Sequence, residues 1–153
     1  MPQTTLNRAF QFNSKAKTLD HLSGKLANSS IPDFFIIPCS SWIKSDKSEI
    51  IKRIEAEFKT KSLIFRSSTT FEDKEETSGA GEFLSVVVKK PWSVRELPEV
   101  IEKILSHYEA KIGAENVASQ EIFVQELIEN VSISGVIFTH EINTGSPYLV
   151  INY

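Results

Sequence analysis

The 153-residue sequence has little of what fixes a fold by covalent or metal chemistry. It contains a single cysteine, which excludes an internal disulfide framework. Cys39 follows the apolar run Phe34-Phe35-Ile36-Ile37 and reads as a small buried hydrophobe rather than a reactive thiol. Neither a CxxC nor an HExxH pattern occurs, and His21, His107 and His140 are too scattered to suggest a metal site. There is no Lys/Arg cluster of the kind that neutralises a run of phosphates, and the net charge is -3, so nucleic acid is not an expected partner. No apolar run approaches the ~20 residues needed to cross a bilayer. The N-terminus lacks the basic-then-apolar pattern of a secretory leader. A globular protein of the reducing cytoplasm, without a membrane partner, is the expectation.

What is present is an ordinary globular composition, 41% hydrophobic and 24% charged, in a length that fits one domain or a large piece of one. Residues 1–13 read as a poorly structured lead-in. From Ser14, a plausible N-cap, the residues Ala16, Leu19, Leu22 and Leu26 fall at helical spacing, until Asn28-Ser29-Ser30 and Pro32 end the helix. Phe34–Ile37 reads as a short buried strand closed by Pro38. Asp46-Lys47-Ser48-Glu49 has capping-box spacing, and Ile50, Ile51, Ile54 and Phe58 give residues 47–59 one apolar face. Leu63–Phe65 is a second short strand, 67–82 a polar loop, and Phe83–Val88 a third strand. A turn at 93–97 leads to a helix starting at Pro98, since proline suits a first helical position. Gly113 ends that helix. Strands are expected at 121–127, 133–139 and 147–153, with a hairpin turn at Asn143-Thr144-Gly145-Ser146. The order of elements favours α+β over a doubly wound parallel sheet. The sequence stops within the strand-like run 148–153 without a cap or polar tail, so truncation is expected.

The stretch from Leu63 to Gly81 carries the most specific chemistry. A strand ends in Arg66, followed by Ser67-Ser68-Thr69-Thr70, then Glu72-Asp73, then Ser78-Gly79-Ala80-Gly81. A guanidinium fixed at a strand end can hold phosphate oxygens with two parallel hydrogen bonds, and the hydroxyls add neutral donors. Small residues at 78–81 let backbone N–H groups approach a polyphosphate. The stretch is neither a Walker A loop nor a Rossmann fingerprint. On the residues alone it reads equally as an exposed hydroxyl-rich loop with Arg66 paired to Glu72 or Asp73.

Arg66-Ser67-Ser68-Thr69-Thr70-Phe71-Glu72-Asp73 resembles the RSSAxxED signature of the phosphoenolpyruvate synthase and pyruvate phosphate dikinase family. Ser78-Gly79-Ala80-Gly81-Glu82-Phe83 is similar to the S-x-A-G-x-[FY] segment that follows it there. Val124-Gln125-Glu126-Leu127-Ile128 resembles that family's VQxM[VI] strand. Ser134 to Thr139 with Asn143-Thr144-Gly145 resembles its SGVxFTxxPxTG segment. Lys15 with Leu19 is similar to its GGKxxxL motif, with Asn13 and Ser14 in place of the glycines, and Ile31–Phe34 resembles its VPPGF segment. After FT the family has arginine, aspartate and proline, whereas this chain has His140, Glu141 and Ile142.

The resemblance implies an ATP-grasp-like N-terminal subdomain, α+β, with a mixed but mainly antiparallel sheet and packed helices. Residues 1–153 would be the N-terminal part of the ATP-binding domain. Arg66, with Ser67 beside it, and Lys15 would contact the nucleotide phosphates, Arg66 being the catalytic group. Ser78, Gly79, Ala80 and Gly81 would cover the triphosphate. Gln125, Glu126, Leu127 and Ile128 would lie at the adenine edge, with backbone atoms of 126–128 as its hydrogen-bonding groups. The implied cofactors are ATP and Mg2+, the metal ligands lying downstream of residue 153. The implied activity is dikinase-type phosphoryl transfer through a histidine on a separate domain to an acceptor such as pyruvate. A kinase acting on an antibiotic or on the glutamine amide shares such a domain, and a regulatory nucleotide-binding module is the reading from a different class.

The remaining polar residues read more plainly. Glu72, Asp73, Glu75 and Glu76 suit a solvated loop, and His140 a half-exposed strand position. Trp42 and Trp92 suit the edges of the core.

Overall fold

The computed structural model describes residues 14–44, 46–69 and 84–153. In chain order its elements are α1 (Lys15–Leu22), β1 (Phe34–Pro38), α2 (Cys39–Lys44), α3 (Lys47–Phe58), β2 (Leu63–Ser68), β3 (Ser85–Val88), α4 (Leu97–Ile112), α5 (Ala114–Val117), β4 (Glu121–Glu126), β5 (Val136–Phe138) and β6 (Val150–Asn152). The expected α+β class holds. Four strands form one sheet in the order β1-β4-β2-β3, and β5 and β6 form a separate pair. Every strand pairing among the described residues is antiparallel.

The register assigns the two faces of the sheet. Because side chains alternate along a strand, Ile37, Leu63, Phe65, Val88, Ile122 and Val124 share one face. With Trp42, Ile54, Phe58, Leu97, Ile101, Ile104 and Tyr108 from the helices they form the core. Truncating a buried aromatic such as Phe65 to alanine in a core of this kind costs about 3–5 kcal/mol. The second face carries Phe34 and Ile36 of β1, Phe123 and Gln125 of β4, Ile64, Arg66 and Ser68 of β2, and Ser85 and Val87 of β3. Phe123 is fully buried yet lies outside that core cluster.

Helix α4 starts where its proline predicts, with Pro98 in its first turn and Gly113 at φ 83 as its C-cap. Asp46 caps α3 by accepting a hydrogen bond from the Ser48 N–H at 2.8 Å, which holds its carboxyl below the usual range. Helix α1 is shorter than its sequence spacing suggests. It stops at Leu22, because the backbone turns at Gly24 with φ 71, and Leu26 is left exposed rather than on an apolar face. The six-residue α2 and four-residue α5 occupy stretches where no helix was expected. Their lengths are too short to show a helical period.

Strand β2 is longer than expected. It runs through Arg66, Ser67 and Ser68, which the sequence assigned partly to a polar loop. The serines are buried, and hydrogen bonding makes that burial tolerable. The strands expected at 133–139 and 147–153 shrink to 136–138 and 150–152. Gly135 is needed at this junction, since a Cβ there would collide with the Asn152 carbonyl oxygen. Between the two strands, the Glu141 carboxylate accepts from the N–H groups of Asn143 and Thr144 and from the Thr144 hydroxyl. These bonds hold its pKa below the usual value, Thr144 contributing most. Gly145 closes the turn at φ 67 by donating to the Glu141 carbonyl at 2.9 Å.

Candidate functional site

Arg66 stands on the second face of the sheet, directly opposite Phe123 of β4. Its guanidinium carbon lies 5.8 Å from the centroid of the Phe123 ring, within cation–π range. The Arg66 Nε is buried and has no hydrogen-bond partner among the described residues. A buried guanidinium nitrogen without an acceptor is costly, and an anion is the usual remedy. Among the described residues no carboxylate lies within salt-bridge distance of Arg66, whereas the neighbouring acid on this face, Glu121, is occupied. Its Oε2 accepts from the Ser14 hydroxyl at 2.7 Å and its Oε1 lies 3.3 Å from Lys17 Nζ.

The start of α1 is fastened beside this face. Ser14 caps the helix, its Oγ accepting weakly from the Lys17 N–H at 3.4 Å. The Ala16 N–H donates to the Ser68 Oγ at 2.9 Å. Lys15, exposed at the first helical position, is therefore held on an element anchored to the strand that carries Arg66. From the core side, the Tyr108 hydroxyl reaches the same strand ends. It accepts from the Ser68 N–H at 2.6 Å and donates to the Glu121 carbonyl at 2.6 Å. Ser68 and Glu121 are register partners in the β2–β4 ladder, so one phenol joins the two strands two positions beyond Arg66. Ser67 turns the other way. Its N–H and its Oγ both lie 3.2 Å from the Leu84 carbonyl oxygen and donate to it.

The structure thus brings Arg66, Ser68, Glu121, Phe123 and the start of α1 together. Ser68 was expected only as one of the hydroxyl donors after Arg66, and Glu121, Phe123, Tyr108 and Ser14 were not singled out as site residues. The sequence signal for them is slight: serines next to Arg66, and a tyrosine on the apolar face of α4. Gln125 shares the face of Arg66 and is buried, but Ile128 is 62% exposed. The backbone groups expected to meet adenine are partly engaged already. The Glu126 N–H donates to the Asp33 carbonyl at 3.0 Å and the Leu127 N–H to the Ser62 carbonyl at 2.8 Å. Ser78, Gly79, Ala80 and Gly81 lie outside the described residues, as do Thr70, Glu72 and Asp73.

Other charged groups serve the scaffold. Lys61 bridges Asp33 at 2.8 Å and Glu126 at 2.6 Å, which raises its pKa, Asp33 contributing most. Burial, aided by the charge of Glu121, pushes the Cys39 thiol up to about 12, which fits a structural cysteine. Among the described residues, no three His, Cys, Asp or Glu side chains are grouped so as to hold a metal ion, and no helix is long and apolar enough to cross a membrane. A scan against protein-family models and searches of curated proteins and of solved structures found no match.

Proposed function

We propose that this chain is the ATP-binding portion of a phosphotransferase of the phosphoenolpyruvate synthase type, built on an ATP-grasp-like subdomain. ATP with Mg2+ is the ligand, and Arg66 and Lys15 are its phosphate contacts. The observation that carries the reading is the buried Arg66 Nε, without a partner among the described residues, on a face where the nearby carboxylate is already engaged. Phosphoryl transfer depends on positioning and on neutralising charge, and a fixed guanidinium serves both. The motif resemblance of residues 63–83 and 122–145 supplies the nucleotide and the reaction class. In this reading the phosphohistidine and the acceptor site belong to other domains, the metal ligands lie outside these residues, and pyruvate or a related compound is the acceptor.

The test is calorimetric titration of the chain with MgATP, and of its Arg66→Ala variant. Saturable binding that is weakened at least about tenfold in a folded Arg66→Ala protein is the expected result, since a charged hydrogen bond contributes about 1.5–3 kcal/mol. Equal affinity in the two proteins would remove Arg66 from the site. In a protein that joins this domain to its phosphohistidine domain, ATP labelled on the β-phosphate should transfer label to histidine with release of AMP. A nucleotide-binding regulatory module would bind MgATP and leave histidine unlabelled.

A further inference from the structure

We propose that the open edge of β1 is a docking site for an extended, lysine- or arginine-bearing peptide that adds to the sheet as a further strand. This goes beyond nucleotide binding and uses none of the residues assigned to it.

The outermost position of β1 follows from the strand order. The Glu126 N–H bonds the Asp33 carbonyl and the Cys39 N–H bonds the Gln120 carbonyl, both at 3.0 Å. Antiparallel ladders alternate, so residues 33, 35, 37 and 39 bond inward to β4. Phe34 and Ile36 therefore turn their N–H and C=O groups outward, and Pro38 turns out a carbonyl only. No described strand pairs with that edge. Edges of this kind are usually blunted by lysine or proline. β1 contains no lysine, and its prolines stand at its boundary positions, Pro32 just before it and Pro38 at its end. They leave a window of two outward donors.

A groove follows the same edge. One part, of about 610 Å3, runs from Asp20 of α1 and its C-cap Ser23 across Phe34–Ile36 to Arg53 and Glu57 of α3. A second part, of about 440 Å3, continues past Pro38 to Asp46 and Glu49. The two share Phe35, Ile36 and Arg53, and no β4 residue lines either, so both lie on the outer side of β1. An added strand would sit ~4.8 Å from β1, between α1 and α3.

The charge of the groove selects the occupant. Five carboxylates line it, Asp20, Asp33, Asp46, Glu49 and Glu57, against one guanidinium, Arg53. Arg53 is held by Glu57 at 2.9 Å and lies over the Phe35 ring, and Asp33 is answered by Lys61. The remaining acids face the groove as a surplus. A second copy pairing edge to edge would bring two acidic grooves together, which like-charge repulsion opposes. Strand addition by a basic peptide satisfies both the backbone and the charge.

The test is nuclear magnetic resonance of the 153-residue chain titrated with a capped synthetic peptide alternating lysine and valine over about seven residues. Saturable shifts of the Phe34 and Ile36 amides are expected. Binding should fall at least about tenfold when alternate peptide amides are N-methylated, because the ladder bonds are lost. It should fall similarly in the Asp20→Lys/Glu49→Lys double variant, whose dispersed spectrum reports that it is folded. Absence of shifts at Phe34 and Ile36 would overturn the proposal. Equal binding of the N-methylated peptide would reduce it to charge alone, and equal binding of the glutamate counterpart would refute the electrostatic selection. Shifts at the same amides that depend on protein concentration without peptide would assign the edge to a second copy. Because Asp20 and Glu49 lie away from Arg66, failure here leaves the MgATP result standing, and the reverse holds.

Discussion

Replacing Tyr108 by phenylalanine removes one oxygen and should disturb two strands and a helix. The ring is fully buried in the core, so the substitution keeps the packing and deletes only the hydroxyl. That hydroxyl takes the Ser68 N–H and gives to the Glu121 carbonyl, each at 2.6 Å. Ser68 is 1% exposed, so water cannot readily replace the lost partner. A buried donor or acceptor left unsatisfied costs about 1–3 kcal/mol. Partial closure of the ladder would return some of that through a direct Ser68–Glu121 rung. A net loss of about 2 kcal/mol is expected, which for a chain of this size lowers Tm by roughly 4–8 °C. Urea denaturation followed by tryptophan fluorescence measures it, with an unchanged m-value as the sign that the folded state has kept its compactness. A loss below about 0.5 kcal/mol would mean that the strands hold their own rung, and that the phenol is not the tie between β2 and β4.

Three further outcomes follow from the same geometry. Arg66→Met should leave Tm unchanged or raise it, since a buried nitrogen with no partner among the described residues is lost, while abolishing any thermal stabilisation by MgATP; a melting scan with and without nucleotide checks both. Glu102 bonds Lys47 at 2.6 Å and Trp42 Nε1 at 2.8 Å, and these lower its pKa from 4.5, Lys47 contributing most. Its contribution to stability is therefore present above pH ~4.5 and is lost as pH falls through the lowered folded value, so Glu102→Gln should flatten the acid side of the stability profile measured by urea titration. Cys39, buried and with its pKa near 12, should react with a thiol reagent at neutral pH only as fast as the chain opens, and at an ordinary thiol rate in denaturant.

Long elements with a clear period were legible in the sequence. α3, α4 and β4 match their apolar spacing and their caps to within about two residues. What escaped was set by contacts distant along the chain. Ser67 and Ser68 look like loop residues, yet bonds to Leu84, Tyr108 and Ala16 make them the end of a strand. The node of Ser14, Ser68, Tyr108 and Glu121 joins residues up to 107 positions apart, and no local pattern announces such a meeting. The run 133–139 has strand composition, but most of it is exposed and only three residues find partners. Arg66 was visible as a candidate from its neighbours in sequence. The fact that its Nε is buried, with no partner among the described residues, needed coordinates.

The strand order also governs how the chain can be made. β4 lies between β1 and β2, pairing Phe34 with Gln125 and Leu63 with Glu126 across 91 and 63 residues. On the ribosome, at roughly 5–20 residues per second, β1 emerges roughly 5–18 s before the strand that joins it to the sheet. During that interval β1 has no partner among the described strands, and β2 has only β3. A nascent chain paused before residue 121 therefore carries apolar strands with open edges, the form most exposed to aggregation and proteolysis. Synthesis of β4 covers the inner edge of β1 and the free edge of β2 at once, and leaves only the outer edge of β1 unpaired among the described strands.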